Sequence, residues 1–406
     1  MTFHFPKLAT VEPLLAAIID MPEINVNEDH ENGLGVVMYN VAFEETFLNP
    51  FATDDPAERA RRILLREARG IKFDLKTKRI VSRPYHKFFN VNERDETQAH
   101  VIDWTQPHII LEKLDGSMLT PYVSPSGEIK WMTKRGVTEV ANNALDFFHK
   151  HPHYEDFCRR MFNKNLTPIF EWCTRRQRII VDYGPTDRMV LTAIRDNVSG
   201  DYFRYDDMVG IARDNNLDYV RKLDFTVTNV NEFLQQTREI EGEEGYIVRF
   251  DTGHMYKVKG EWYCRLHKTF DALRFEKDII RLILEGQLDD LRPFLIPTML
   301  SAVDLFAHDI RVGLRSNALA IVDYANKYRG NTTKFDFVKL VQADAQMQPF
   351  NTHVFRAFDR DLNVDEVFEQ LVFNVLKKSH TQTQVDEIRF LFGGKNWYDY
   401  TSMPTE

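Results

Sequence analysis

The chain has 406 residues, 52 Lys and Arg against 61 Asp and Glu for a formal net charge of -9, with 43% hydrophobic and 28% charged positions. That length holds two or three domains with their own cores, and the composition excludes both a disordered chain and a uniformly basic nucleic-acid coat protein; nucleic acid could bind only through a local basic groove. Three scattered cysteines, Cys158, Cys173 and Cys264, form no CxxC pair, which excludes a disulfide framework or zinc ribbon and points to a reducing compartment.

At the start, the apolar patch at 14–19 lacks a charged leader and is too short to cross a bilayer. It predicts an amphipathic helix, no membrane anchor and a cytoplasmic protein. From about residue 35 to 270, short apolar or alternating runs predict strands: GVVMYNVAF, RIVSRPYHKFF, HIILEK, MLTPYV, EIKWMTK, PIFEW, RIIVDY, MVLTAI, GYIVRF and HMYKVK. Helices are predicted at 56–69 and 139–150. After Phe270 the apolar spacing becomes helical, beginning with DALRFEKDIIRLILEG, where Gly286 is a natural stop. The reading is an α+β domain over 1–270, with an N-terminal extension, followed by an all-helical domain over 271–406. No internal repeat at solenoid periods interrupts it.

The segment IILEKLDGSMLTPYV at 109–123 brings Lys113 to the mouth of a tight Asp115–Gly116 turn between two β-like runs. A lysine there can act as a nucleophile if burial and neighbouring cations lower its pKa. Taken alone, the segment fits an ordinary surface lysine beside a hairpin turn better than it fits a nucleophile. Lys257 and Lys259, two apart on a β-like run, share one face and point at one ligand.

The pattern K-x-D-G-S at 113–117 resembles the first motif of the covalent nucleotidyltransferases. The expected later motifs follow in order: PIFEWCTRRQRIIVDY from Pro168, EEGYIVR from Glu243 and MYKVKGEWYCRLH from Met255. The last, K-x-K-x-x-W-Y, resembles the phage RNA ligase 1 family. Upstream, REARGIKFD from Arg66 and RPYHKFFN from Arg83 extend the resemblance, which runs from about residue 35 to 270. The helical tail matches only in class and position.

This resemblance implies an ATP-grasp-like, antiparallel-sheet nucleotidyltransferase domain and an ATP-dependent RNA ligase. Lys113 would attack the α-phosphorus of ATP and carry AMP, which then passes to an RNA 5′-phosphate and is released when a 3′-OH attacks. Arg69 and Lys87 would hold the β- and γ-phosphates, Lys257 and Lys259 the α-phosphate. Glu244 would hold Mg²⁺, with Glu171 on the ribose or a metal-bound water. Gly116 and Gly245 would admit the nucleotide, Glu112 would contact adenine through its backbone, Phe89 would either stack on the base or pack in the core, and Lys134 would complete the site together with Tyr263, for which a structural role is the alternative. The implied partners are single-stranded RNA ends, nicked tRNA among them, and the implied state is a monomer in the host cytoplasm. Rival readings are a DNA ligase or a GTP-dependent capping enzyme, both of which usually append a β-rich OB domain, and an RNA-binding module without catalysis. Arg175, Arg176 and Arg178 form a basic cluster that would suit RNA phosphates. For His149, His151 and His153, no cysteine or second histidine cluster supports a metal site.

Overall fold

The computed structural model describes residues 4–124, 126–175, 179–295 and 297–401. The chain divides into two compact units, Met1–Cys264 and Arg265–Glu406. The first is α+β with largely antiparallel sheets; the second is helical.

In the first unit, β1 (Ile24–Asp29), β2 (Leu34–Tyr39), β3 (Arg69–Asp74) and β4 (Ile80–Ser82) form an antiparallel sheet in chain order. A second sheet joins β5 (Phe89–Asn90) and β6 (His108–Glu112) to strands formed much later. A third is built on β7 (Ser117–Val123), β8 (Ile129–Met132), β9 (Leu166–Cys173), β10 (Arg188–Asp196) and β11 (Asp218–Tyr219), in the order β11-β10-β9-β7-β8. Finally β12 (Gly245–Phe250) and β13 (Met255–Lys259) complete the second sheet as β5-β13-β12-β6. The two-residue strands β5 and β11 pair in parallel with β13 and β10.

Strand patterning follows burial. In β10 the run from Met189 to Ile194 is buried except at Thr192, as expected of a strand covered on both faces. A buried charge cluster ties this unit together. Glu67 accepts from Arg83 (2.9 and 3.1 Å) and from Arg195 (2.7 and 2.9 Å), all three almost fully buried. Burial alone would raise the Glu67 carboxyl, yet the two guanidinium groups bring it down to about 2.

Several sequence expectations are revised. The helix expected over 56–69 runs Pro56–Leu65, and Arg69 opens β3, where Gly70 at φ +91° has left helical space. The helix expected over 139–150 is two short ones, Glu139–Asn143 and Leu145–Lys150. A further helix, Pro152–Asn163, follows and was not anticipated. RIIVDY forms no strand over its described residues, 179–183, because its backbone N–H groups serve a carboxylate instead of a neighbouring strand. Helix Glu261–Leu273 begins well before the expected change at Phe270.

The second unit is organised around helix Pro297–Tyr328. Its inner stripe, including Val303, Phe306, Ile310, Leu314, Ile321 and Ala325, recurs every three or four residues and is buried. Buried Glu276 accepts from the Trp397 amide (2.9 Å) and Gln382 (2.8 Å) and pairs with Arg389. Among the described residues, no helix is long and apolar enough to cross a membrane.

Candidate functional site

Strand register builds the centre of the site. Tyr246 pairs with Glu112 and Gly245 with Lys259. The C-terminal end of β6, the N-terminal end of β12 and the C-terminal end of β13 therefore lie together. The next residues out are Lys113 and Glu244, beside Lys259. The Lys113 amide donates to the Gly245 carbonyl at 2.9 Å, extending the ladder by one bond. Gly245 stands at φ +135°, and a Cβ there would come within 2.1 Å of the Val258 carbonyl oxygen, so glycine is required.

The buried Glu244 carboxylate bridges two ammonium groups: Oε2 lies 2.5 Å from Lys113 Nζ and Oε1 lies 2.9 Å from Lys259 Nζ. All three residues thus meet at one point. A cavity of about 290 Å³ opens beside them, lined by Arg69, Glu112, Lys113, Glu171, Lys257 and Lys259, among others. Gly116 also lines it, pressed against β9; a Cβ there would meet the Trp172 carbonyl oxygen at 2.4 Å.

Crowding and burial shape the charges. Burial raises the Glu171 carboxyl to about 7, with nearby Glu244 pushing the same way and Lys113 opposing. Burial, reinforced by Lys87, Arg69 and Lys113, lowers Lys257 to about 7. Lys87 and Lys134 are each lowered to about 8, burial first and Arg69 contributing. Their Nζ atoms lie 5.4 and 3.9 Å from the centre of the Tyr39 ring, and neither lines the cavity. A polyanion meeting them would restore the charged lysines, since opposite charge favours the ionised form.

Two expected site residues are placed elsewhere. Phe89 is 1% exposed and packs in the core with Phe47 and Ile71; Phe88, its neighbour, faces the cavity, with Lys257 Nζ 5.3 Å from its ring centre. Tyr263 is also buried, and its hydroxyl donates to Asp115 Oδ1 at 2.7 Å, so it braces the turn and does not face the cavity. Glu112 lines the cavity, but its amide donates to the Arg221 carbonyl (3.0 Å) and its carboxylate pairs with Arg221. The amide is thus already committed within the protein.

Four contributors were missed. Asp115 is the hub of the turn: Oδ2 accepts the amides of Ile180 (2.7 Å) and Val181 (2.8 Å), while its own amide donates to the Tyr183 hydroxyl (2.7 Å). Arg249 and Ile247 line the cavity together, and their spacing of two on β12 was the available clue. Phe88 had no such clue. Of the arginine cluster, Arg175 pairs with Asp182 at 3.6 Å; Arg176 and Arg178 lie outside the described residues.

Comparison with known proteins finds RNA ligases. The profile of the RNA ligase family matches residues 67–263. A Thermovibrio ammonificans protein named as an RNA ligase is 32% identical over 273 residues, 64% of this chain and 66% of its own. RNA ligase 1 of bacteriophage TS2126 is 27% identical over 277 residues, again 64% and 66%. The chain therefore matches just under two thirds of the length of these relatives. Among solved structures, a Naegleria gruberi RNA ligase with ATP and Mn is 18% identical at a TM-score of 0.35, over 40% of this chain and 52% of that one. The profile match takes in Arg69, Lys113, Glu171, Glu244, Lys257 and Lys259, and over this stretch the chain is similar to RNA ligases, RNA ligase 1 of a bacteriophage among them.

Proposed function

We propose that the chain is an ATP-dependent RNA ligase of the covalent nucleotidyltransferase type, joining 5′-phosphate and 3′-OH RNA ends through Lys113. The observation that carries the reading is the meeting of Lys113, Glu244 and Lys259 at a cavity that also holds Arg69, Glu171 and Lys257. That is one nucleophilic amine surrounded by cations suited to a triphosphate.

In the first step Lys113 Nζ bonds to the α-phosphorus of ATP, the bond from that phosphorus to the pyrophosphate oxygen breaks, and pyrophosphate leaves. Glu244 Oε2 is placed to take the amine proton. Lys257 and Lys259 neutralise the α-phosphate, and Arg69 and Lys87 neutralise the departing phosphates. Next, an RNA 5′-phosphate oxygen attacks the same phosphorus and the P–N bond breaks. Last, a 3′-OH attacks the RNA phosphorus and AMP leaves.

The described residues contain no group of three or more metal-ligating side chains. Mg²⁺ commonly takes one or two carboxylates and completes its shell with phosphate oxygens and water. Glu171 and Glu244 fit that share and would hold the ion, which would supply charge neutralisation at the phosphates. Single-stranded RNA ends are the proposed substrate class, with repair of cleaved RNA, tRNA included, as the setting.

The test is labelling with α-labelled ATP and Mg²⁺, with GTP alongside. Covalent label from ATP that survives denaturation and alkali but is released by acid, as a P–N bond requires, is expected on the wild type and none on Lys113→Ala. No label from either nucleotide on folded, AMP-free protein would sink the reading.

A further inference from the structure

Arg69 reaches the Lys113 cavity because of an irregularity in β3. Val37 pairs with Ile71 but Met38 pairs with Arg69, so Gly70 is one residue more than β2 can match. In an unbroken strand Arg69 would share a face with Ile71 and Phe73, both fully buried in the core. The bulge turns it off that face and into the cavity lining. Gly70 takes φ +91° there and presses on Lys134: a Cβ would meet the Lys134 carbonyl oxygen at 2.7 Å and its Cα at 2.9 Å. One bulge therefore sets the place of two cations, Arg69 and Lys134.

A bulge leaves backbone groups without a partner on the neighbouring strand. Here the Gly70 carbonyl accepts from Lys72 Nζ at 3.0 Å, and the same amine donates to the Thr120 hydroxyl at 2.9 Å. Thr120 lies on β7 two residues from Met118, on the same face. Met118 lines the cavity, and its Sδ is 3.3 Å from Arg69 Nη1. Lys72 thus ties the bulge to β7, two residues along from the point where Arg69 meets that strand.

Lys72 is fully buried and does not line the cavity. Burial, with Arg69 adding to it, lowers its amine to about 7, and no carboxylate opposes the shift. A buried amine is a costly way to fill space, and an apolar side chain would serve packing alone better. Its two hydrogen bonds are what the position gains.

We propose that Lys72 is a positioning residue for the departing-phosphate end of the site: by holding the Gly70 bulge against β7 it fixes Arg69 and Lys134, and so serves the step that consumes ATP and not the sealing step. The proposal rests on the ligase reading. Sealing of RNA that already carries AMP involves no β- or γ-phosphate, so the cations set by the bulge have nothing to hold in it.

The test uses Lys72→Met, which keeps the length of the side chain and removes the amine, and Thr120→Val, which removes one of the amine's acceptors. Single-turnover lysyl-AMP formation and sealing of pre-adenylylated RNA by AMP-free protein are measured side by side. In Lys72→Met the first is expected to fall roughly ten- to hundredfold in kcat/KM for ATP, the scale on which misplacement by about an ångström acts. The second is expected to stay near the wild-type rate. Thr120→Val is expected to show the same split with a smaller loss.

Equal falls in both steps would mean a structural role alone and would overturn the proposal, as would wild-type rates in both. Where Lys72→Met does not fold, Thr120→Val decides by the same criteria. Absence of lysyl-AMP in the wild type would sink the ligase reading separately. In that case equilibrium binding of AMP and of a non-hydrolysable ATP analogue still decides the role of Lys72. Lys72→Met is expected to weaken the analogue more than AMP, and an unchanged ratio of the two affinities overturns the proposal.

Discussion

The Tyr263 hydroxyl donates to Asp115 across 148 residues of sequence, at 2.7 Å, and so locks the turn that carries Lys113 to the helix that follows β13. Asp115 is 4% exposed, and its other oxygen is occupied by two amides. Tyr263→Phe removes one charge-assisted bond, with an expected loss of about 1.5–3 kcal/mol in stability. A lower denaturation midpoint with an unchanged slope would show it. The rate of lysyl-AMP formation is expected to fall while ATP affinity holds, because the tyrosine positions the turn and does not touch the nucleotide. An unchanged midpoint would refute the brace.

Glu244 stands between two ammonium groups. In Glu244→Gln the carboxylate that orients Lys113 and Lys259 is gone, and the two cations face each other. Lysyl-AMP formation is expected to drop by about 100-fold or more at saturating ATP, the scale of losing one preorganised electrostatic group. Single-turnover labelling measures it, and a rate close to wild type would remove Glu244 from the mechanism.

The Glu171 carboxyl titrates at about 7 in the folded protein against an ordinary value of 4.5. Between these values the folded state holds more protons than the unfolded state. Its contribution to stability is therefore fully present below pH 4.5 and is lost as pH rises through 7. Glu171→Gln keeps a neutral group at all pH. The melting temperature of the variant relative to wild type is expected to rise from pH 4.5 to 7 in the absence of nucleotide. A difference that stays flat over that interval contradicts the raised pKa.

Lys257 is lowered to about 7 and Lys87 and Lys134 to about 8. Phosphate selects their charged forms, so nucleotide binding above pH 7 takes up protons. The affinity for a non-hydrolysable ATP analogue is expected to weaken as pH rises above 7, by up to about tenfold per unit for each proton taken up. Glu171, gaining charge there, acts in the same sense. Lys257→Arg stays charged and is expected to reduce the slope. Calorimetry in buffers of different ionisation heat reads the proton uptake directly, and its absence would refute the shifted lysine.

Period and spacing made the strands of Lys113, Glu171, Lys257 and Lys259 legible, since each run is long enough to show which face a side chain takes. Phe88 and Phe89 were not separable, because a two-residue strand has no period to read. RIIVDY has the composition of a strand, and only the buried Asp115 facing it shows why its amides point elsewhere. Tyr263 was read with the motif it belongs to, whereas helix Glu261–Leu273 begins just after β13 and turns that side chain towards the hub. Contacts spanning more than a hundred residues leave no local trace in composition.

Glu67, held by Arg83 and Arg195, has a bearing on how this unit can be cut or inherited. The three residues lie 128 positions apart at their extremes. A fragment ending between Arg83 and Arg195 leaves Glu67 with one guanidinium of its two and separates Arg195 from its only carboxylate partner in the cluster, a loss on the order of 3–5 kcal/mol. The first unit is thus indivisible along that stretch: split versions and recombined halves joined there are expected to fail, while exchanges outside it leave the balance of charge intact.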